Sequence, residues 1–271
     1  MLKVSVIMTT HNSKESFLPG FASIAEQDYP DLEVVIIDGA STDGTAELIR
    51  KAERASAGRA GFTVRWISEP DGGIYEAMNK GIAGSSGDII GVMNDRFTER
   101  DAISRMVAAI EASGADVVHT DLVYTDHGRC VRYWHMGDGD FRNGHYRALS
   151  FGWLPAHPTL YLRRSVYEKY GTYDTSLKSS SDYEYMLRIL SGKKDRAVRL
   201  CYLPEVLVDM SYGGTSNGGF SGYFRNMAEA REALIREGYR PAWPVILCRI
   251  LRTLDQYRQA RRYDAVKTDL K

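Results

Sequence analysis

What the chain lacks narrows the field first. Cysteine is scarce: Cys130, Cys201 and Cys248 stand far apart with no CxxC pair. That argues against a disulfide framework or a zinc knuckle and for the reduced thiols of a cytoplasmic protein. Net charge is missing too, since 35 Lys+Arg balance 35 Asp+Glu over 271 residues. Nucleic acid as a partner loses the basic excess it requires. No stretch approaches the ~20 apolar residues that cross a bilayer. The apolar run in MLKVSVIMTTHNS is too short for a signal peptide and reads as a first strand. Phosphate-cradling glycine fingerprints are absent: neither GxGxxG after the first strand nor GxxxxGK followed by Ser or Thr occurs, which weakens dehydrogenase and P-loop readings. GxSxG is absent as well, so an α/β-hydrolase would have no nucleophile.

What is present is a regular alternation. Hydrophobic content of 44% and charged content of 26% fit a folded domain with a substantial core. Val4 to Met8 is a β-branched apolar run, followed by TTHNS and a helical pattern from Ser16 to Glu26. Leu32 to Ile37 is a second such run, closed by DGASTDGT, where Thr42 or Asp43 caps a helix carrying Leu48 and Ile49. Phe62 to Ile67 alternates as a third strand, and Glu69-Pro70-Asp71-Gly72-Gly73 forms a turn. A helix with Ile74, Ala77, Met78 and Ile82 on one face follows, then a fourth strand from Asp88 to Met93. Further on, the spacing predicts helices over 101–112, 161–170 and 182–190 and strands over 115–119 and 197–203, while 120–160 has weak periodicity. The pattern predicts an α/β fold: a mostly parallel central sheet with helices on both faces. Ligands of such sheets bind at the carboxyl ends of the strands. TTHNS, DGAS, EPDGG and NDR all follow strands and should therefore converge on one cleft.

Those strand ends offer the carboxylates Asp38, Asp43, Asp71 and Asp95. A nucleoside diphosphate asks for an acceptor and a hydroxyl donor at base and ribose, and for a divalent cation or basic groups at the diphosphate. Thr9, Asn12 and Asp38 suit the former, Asp95 suits a metal, and Lys80 offsets phosphate charge if its helix starts at the cleft. Taken singly, each Asp or Asn reads equally well as a turn former or helix cap. For Asp43 in TDGT that is the better reading.

Taken as segments, these residues resemble the family 2 glycosyltransferases of the GT-A fold, especially the bacterial branch that builds polysaccharides. VSVIMTTHNS is similar to that family's opening strand and nucleotide-binding loop. VVIIDGASTDGT resembles its second strand, whose Asp (here Asp38) contacts the nucleotide base or ribose. ISEPDGGIYEAMNKGIAGSSGDIIGVMND resembles the long donor-site signature. PAHPTLYLRRSVYEKYGTYD and SDYEYMLRI resemble the acceptor-side segment, and LPEVLVDMSYGGTSN the loop after it. The likeness covers roughly residues 2 to 217. It implies a GT-A (Rossmann-like) domain over 1–220, a UDP- or GDP-sugar donor, Mn2+ or Mg2+, and a glycan or lipid-linked glycan acceptor. It further implies donor contacts from Thr9, Thr10, Asn12, Asp38, Asp71, Asn79, Lys80, Asn94 and Arg96, with the metal at Asp95. One departure stands out. The family ends its fourth strand with Asn, a small residue and two aspartates, whereas this chain reads Met93-Asn94-Asp95-Arg96-Phe97. Either Asp95 holds the metal through the donor's diphosphate, or Arg96 supplies positive charge in place of or beside the cation.

Glycosyl transfer requires a stabilised leaving diphosphate and an acceptor hydroxyl that loses its proton as it attacks. The resemblance implies inversion at the anomeric carbon with an Asp as base, and in Ser181-Asp182-Tyr183-Glu184 the matching residue is Asp182. At a helix start the macrodipole favours its ionised form; the same position suits a plain N-cap. Glu184 is the fallback, about 200° further round the helix. His157, between Pro155 and Pro158, either lines the acceptor pocket or shapes its own loop. Gly213-Gly214-Thr215-Ser216 either closes over the diphosphate through backbone N–H groups or is a turn. From Ser221 to Lys271, eleven Lys/Arg face six Asp/Glu with helical periodicity. This C-terminal helical extension, 221–271, lies on an anionic membrane surface, packs on the protein's own core, or pairs with a second subunit. The resemblance favours a site at the inner face of the cytoplasmic membrane. Two other functions fit parts of the pattern. A nucleotidyltransferase shares the carboxylate-lined cleft but usually carries a Gly-rich loop that TTHNSKES lacks. A non-catalytic sugar-nucleotide-binding protein would account for the altered metal motif.

Overall fold

The computed structural model describes residues 1–192, 197–213 and 219–269, with the backbone alone for 219–225, 262 and 264–269. Strands and helices alternate through the first third: β1 (Val4–Thr10), α1 (Phe17–Ala25), β2 (Leu32–Asp38), α2 (Thr45–Ser56), β3 (Phe62–Ser68), α3 (Ile74–Gly84) and β4 (Ile89–Val92). β1 pairs in parallel with β2 and β4, and β2 with β3. Every residue of β2 is buried, as continuous apolar strands must be when helices cover both faces. Side chains leave each strand alternately to either side. Val4, Val6 and Met8 accordingly meet α1 and α2, while Ile7 faces Met78 and Ile82 of α3. A Cβ on Gly81 would come within 2.4 Å of Ile7 Cγ2, so glycine there is what lets α3 lie against β1.

The remaining elements are β5 (Arg96–Phe97), α4 (Ala102–Ser113), β6 (Val117–Asp126), β7 (Arg129–Trp134), β8 (Phe141–Arg142), β9 (His145–Tyr146), β10 (Tyr161–Arg163), α5 (Arg164–Tyr170), α6 (Ser181–Leu190), β11 (Leu200–Ser211), α7 (Gly219–Arg236) and α8 (Trp243–Asp269). The main sheet runs β3-β2-β1-β4-β10-β6-β11-β5, with β7 added on β6. β10 is antiparallel to both β4 and β6, and β11 is parallel to β6. β6 and β11 thus point the same way as β1 to β4, and the carboxyl ends of six strands share one edge.

Three sequence expectations change. Residues 161–170 are not one helix: Tyr161 to Arg163 form β10, because Tyr161 and Leu162 are buried between β4 and β6. The strands expected over 115–119 and 197–203 run on to Asp126 and Ser211, lengthened by pairing with each other through a bulge between Leu203 and Val208. Ile74 is not on the buried face of α3; it is 47% exposed, and Tyr75 turns inward instead. Tyr75 has a hydroxyl partner and a ring partner inside, which Ile74 could not use. Asp43 binds at the start of α2, taking Thr45 N and Oγ1 at 3.0 and 2.6 Å, with Gly44 as the capping residue.

α7 and α8 join the core that the rest of the chain builds. Ala230, Ala233, Leu234, Val245 and Ile246 belong to the same apolar cluster as Ile7, Ile90, Tyr183 and Leu187. Further along α8, Ala260 packs on Val123 and Cys130.

Candidate active site

Four strand tips meet at the common edge. The Asp38 carboxylate is buried and receives Thr10 Oγ1 (2.9 Å), Ser41 Oγ (2.5 Å), Ser41 N (3.0 Å) and Ser68 Oγ (2.6 Å). Burial pushes its pKa up, yet the donors from Ser41, Ser68 and Thr10 outweigh that and hold it below the usual carboxylate range. It therefore knots the ends of β1, β2 and β3 as an anion. Asp71 leans on the next residue of the β2 tip: a Cβ on Gly39 would lie 2.8 Å from Asp71 Oδ2. Asp71 Oδ1 accepts Gly73 N at 2.9 Å, fixing the turn into α3. Asn12, at φ 50°, accepts Thr42 N through Oδ1 (2.9 Å) and donates its own N–H to Ser41 Oγ (2.8 Å). Its loop is thereby pinned to the DGAS loop.

Asn94 fixes the fourth tip. Its Oδ1 accepts Thr9 N (2.8 Å) and its Nδ2 donates to Thr9 Oγ1 (2.9 Å). Asp95 follows, half-buried, with Oδ1 accepting Ser211 N from the end of β11 (3.1 Å). Burial raises its pKa, and nearby Asp209 adds to the rise against Ser211 N–H and Arg96. Arg96 is engaged near the carboxyl end of β11, where it grips Asp209 through Nη2 and Nε at 2.6 and 3.1 Å. Asp209 also receives Thr125 Oγ1 at 2.7 Å, so both its oxygens are occupied.

The residues expected on the acceptor side gather around the start of α6. Asp182 Oδ1 accepts the Tyr75 hydroxyl at 2.9 Å, which joins the first turn of α3 to the first turn of α6. His157 Nε2 lies 2.6 Å from the Tyr173 hydroxyl, and burial lowers its pKa while Asp182 pulls the other way. Burial raises the pKa of Tyr124, on β6; Arg132 opposes that rise, and Asp95 and Asp182 add to it. The tips of β1 to β4 are thus cross-tied through Thr9, Thr10, Gly39 and Asn94, and α3, which leaves the Asp71 turn, brings Tyr75 onto Asp182.

Three candidates are committed elsewhere. Asn79 donates to Tyr173 O (2.9 Å) and accepts Tyr173 N (3.0 Å), so both amide atoms staple α3 to the segment between α5 and α6. Lys80 is paired with Glu69 (2.8 Å) and Glu76 (3.2 Å). Glu184 is buried in a two-pronged pair with Arg188, at 3.0 and 2.9 Å, away from Asp182. In the expected phosphate loop, Gly213 is described, whereas Gly214, Thr215 and Ser216 lie outside the described residues. Sequence reasoning missed Tyr75, Ser41, Ser68 and Ser211. The serines stood inside or beside the named loops; nothing local marked Tyr75.

The fit to a divalent cation can be judged from these donors. Among the described residues no three His, Cys, Asp or Glu are grouped to hold a metal. Asp95, however, is a half-buried carboxylate whose neighbouring arginine is engaged by Asp209. Mg2+-type ions are commonly held by one or two carboxylates together with substrate phosphates. The residues suit a cation shared with a diphosphate, and not one caged by protein alone.

Comparison with known proteins gives the family and the fold. The model of the family described as glycosyl transferase family 2 matches residues 5–171. An uncharacterized glycosyltransferase of Mycobacterium tuberculosis is 30% identical over 188 residues, 68% of either chain. A PGL/p-HBAD biosynthesis glycosyltransferase of Mycobacterium bovis is 26% identical over 217 residues, covering 79% of this chain and 78% of that relative. Among solved structures, S. aureus TarS 1-349 in complex with UDP-GlcNAc superimposes with a TM-score of 0.66 at 18% identity, over 90% of this chain and 69% of that one. The mannosyltransferase PcManGT from Pyrobaculum calidifontis, in complex with GDP-Man and Mn2+, gives 0.64 at 21% identity, over 98% of this chain and 75% of that one. Both have the GT-A arrangement found here.

Proposed function

The chain belongs to glycosyl transferase family 2, and from that premise we propose that it moves a sugar from a UDP- or GDP-sugar to a hydroxyl of a glycan or lipid-linked glycan, with inversion. The observation that carries the reading is that the tips of β1 to β4, with Asp38 and Asp95, are cross-tied, and that α3, leaving the Asp71 turn, joins Tyr75 to Asp182. In this reading Asn12, Thr9, Thr10 and Asp71 line the donor's nucleoside, and Asp38 holds their loops in register. Asn79 and Asn94 act as frame, each tying two segments of the cleft together.

Asp182 takes the proton of the acceptor hydroxyl as its oxygen attacks the anomeric carbon from the face opposite the diphosphate. The bond from that carbon to the phosphate oxygen breaks, and its electron pair leaves with the diphosphate. Tyr75, donating to Oδ1, leaves Oδ2 as the oxygen that receives the proton. A divalent cation bound at Asp95 would be shared with the diphosphate and would offset charge on the leaving group. His157 and Tyr173, hydrogen-bonded to each other, form the wall on the acceptor side. PcManGT's structure holds Mn2+ with GDP-Man, which supports testing Mn2+ first. Lipid-linked acceptors would place the enzyme at the inner face of the cytoplasmic membrane, with the C-terminal helix as the contact or as a dimer surface.

Purified protein offered a panel of nucleotide sugars with a glycan acceptor, with and without Mn2+, is expected to release nucleoside diphosphate. Asp182→Asn should keep donor affinity and lose at least about a hundredfold in kcat, the usual scale of a general base. Pyrophosphate release would instead point to nucleotidyl transfer. Tight donor binding without turnover would leave only a sugar-nucleotide-binding protein.

A further inference from the structure

α8 has two apolar faces where a helix on a core needs one. Its inner face is accounted for. Val245 and Ile246 lie in the main core, Gln256 Oε1 accepts Arg132 Nε at 2.6 Å, and the Tyr257 and Tyr212 hydroxyls are 3.4 Å apart. Arg249 stands 4.2 Å above the Tyr183 ring. This face therefore touches neighbours of both site carboxylates, Tyr212 beside the Ser211 that binds Asp95, and Tyr183 beside Asp182.

The outer face is not accounted for. Trp243, Leu247, Leu251 and Leu254 are 59, 58, 56 and 61% exposed. At about 100° per residue they fall within an arc of about 80°. Single exposed leucines are ordinary on a protein surface; a continuous row of them marks a contact. Arg258 and Arg261, both exposed, continue the same arc beyond Leu254. At the other end Arg231 sits 5.8 Å over the Trp243 ring, and with Arg240 it borders a hollow of about 410 Å3 floored by Ile235, Pro241 and Ala242. Among the described residues none of these four arginines is in an ion pair. Asp255 lies outside the arc and accepts a hydrogen bond from Gln259.

We infer that this face docks on an anionic lipid surface, the leucines and Trp243 entering the headgroup boundary and Arg231, Arg240, Arg258 and Arg261 meeting lipid phosphates. A second copy of the chain is the poorer occupant, because a two-fold contact along the row would bring arginines against arginines. No helix among the described residues is long and apolar enough to cross a membrane, so the contact is one of lying on the surface. The inference rests on the transferase reading for its purpose only. With α8 on the lipid, the neighbours its inner face touches, Tyr212 and Tyr183, stand next to the membrane, where the hydroxyl of a membrane-anchored glycan would be presented.

The full chain is mixed with vesicles of phosphatidylcholine alone, or of phosphatidylcholine with phosphatidylglycerol, and cosedimentation is read at low and high salt. Binding is expected to the mixed vesicles, weakening with salt. Leu247→Glu/Leu251→Glu should lower it at least about tenfold while the melting temperature stays put. Arg258→Glu/Arg261→Glu, at exposed positions, should lower it as well, which keeps the test valid if the leucine pair misfolds. Overturning results are absence of binding by the wild type, equal binding to neutral vesicles, or a dimer in light scattering that the leucine pair dissolves. Sugar transfer is not read, so a docked protein without transferase activity would sink the function and spare the docking.

Discussion

His119 shows how much one side chain can tell about the interior. It is buried on β6, stacked on Tyr202 at 5.1 Å and edge-on to Trp153 at 6.1 Å, and neither ring nitrogen has a partner among the described residues. Burial lowers its pKa from the usual 6.5 to about 4. Between those values the unfolded chain binds the proton and the folded one does not, so stability is full above about pH 6.5 and declines as pH falls toward 4. The loss should approach about 3 kcal/mol. His119→Phe should flatten that slope in denaturant titrations between those pH values; an unchanged slope would show that His119 is not its source. The site residues differ in how far the sequence announced them. Asp38, Asp95 and Asp182 stood in motifs with fixed neighbours and could be named at once. Tyr75 could not, because its partner Asp182 is 107 residues away and no local period encodes that meeting. Arg96 was visible as a departure, but its partner was not: Asp209 comes 113 residues later.

At the level of elements, α6 shows how a charged helix is seated in an apolar surround. Glu184 is 6% exposed, and its charge is met by Arg188 one turn on, which also donates to Thr172 O at 2.8 Å and to Tyr170 O. Arg188→Met would leave a buried carboxylate uncompensated and should cost about 3 kcal/mol or more. Adding Glu184→Gln should restore part of that in a double-mutant cycle of melting free energies; strict additivity would mean the pair is not coupled. Elements with a single repeating period, such as β1, β2 and α4, were legible to within a residue or two at their ends. β10 was not. LYLRR continues into a helical pattern, and only insertion between β4 and β6 makes its first residues a strand. The stretch from 120 to 160 hid β8 and β9 because each is of two residues, too short to show a period.

The whole molecule does not divide where its charge changes. α7 and α8 supply Leu234, Val245 and Ile246 to the core beneath α6. Truncation of residues 241–271 should therefore give aggregated protein rather than a soluble catalytic domain, as size-exclusion of the expressed fragment would show; a monodisperse, folded fragment would contradict it. The α/β class was readable from alternation alone, since strand and helix periods are local properties. Strand order beyond β4 was not, because it depends on which distant strands pair. One consequence of the arrangement concerns engineering. α3 leaves the turn at Asp71, proposed to face the donor, and is bolted to the segment around α6 twice, through Tyr75 to Asp182 and through Asn79 to the backbone of Tyr173. Grafting another enzyme's sugar preference onto this scaffold by exchanging the turn alone would leave those bolts cut for the old spacing. Helix and segment would have to be transplanted as one cassette.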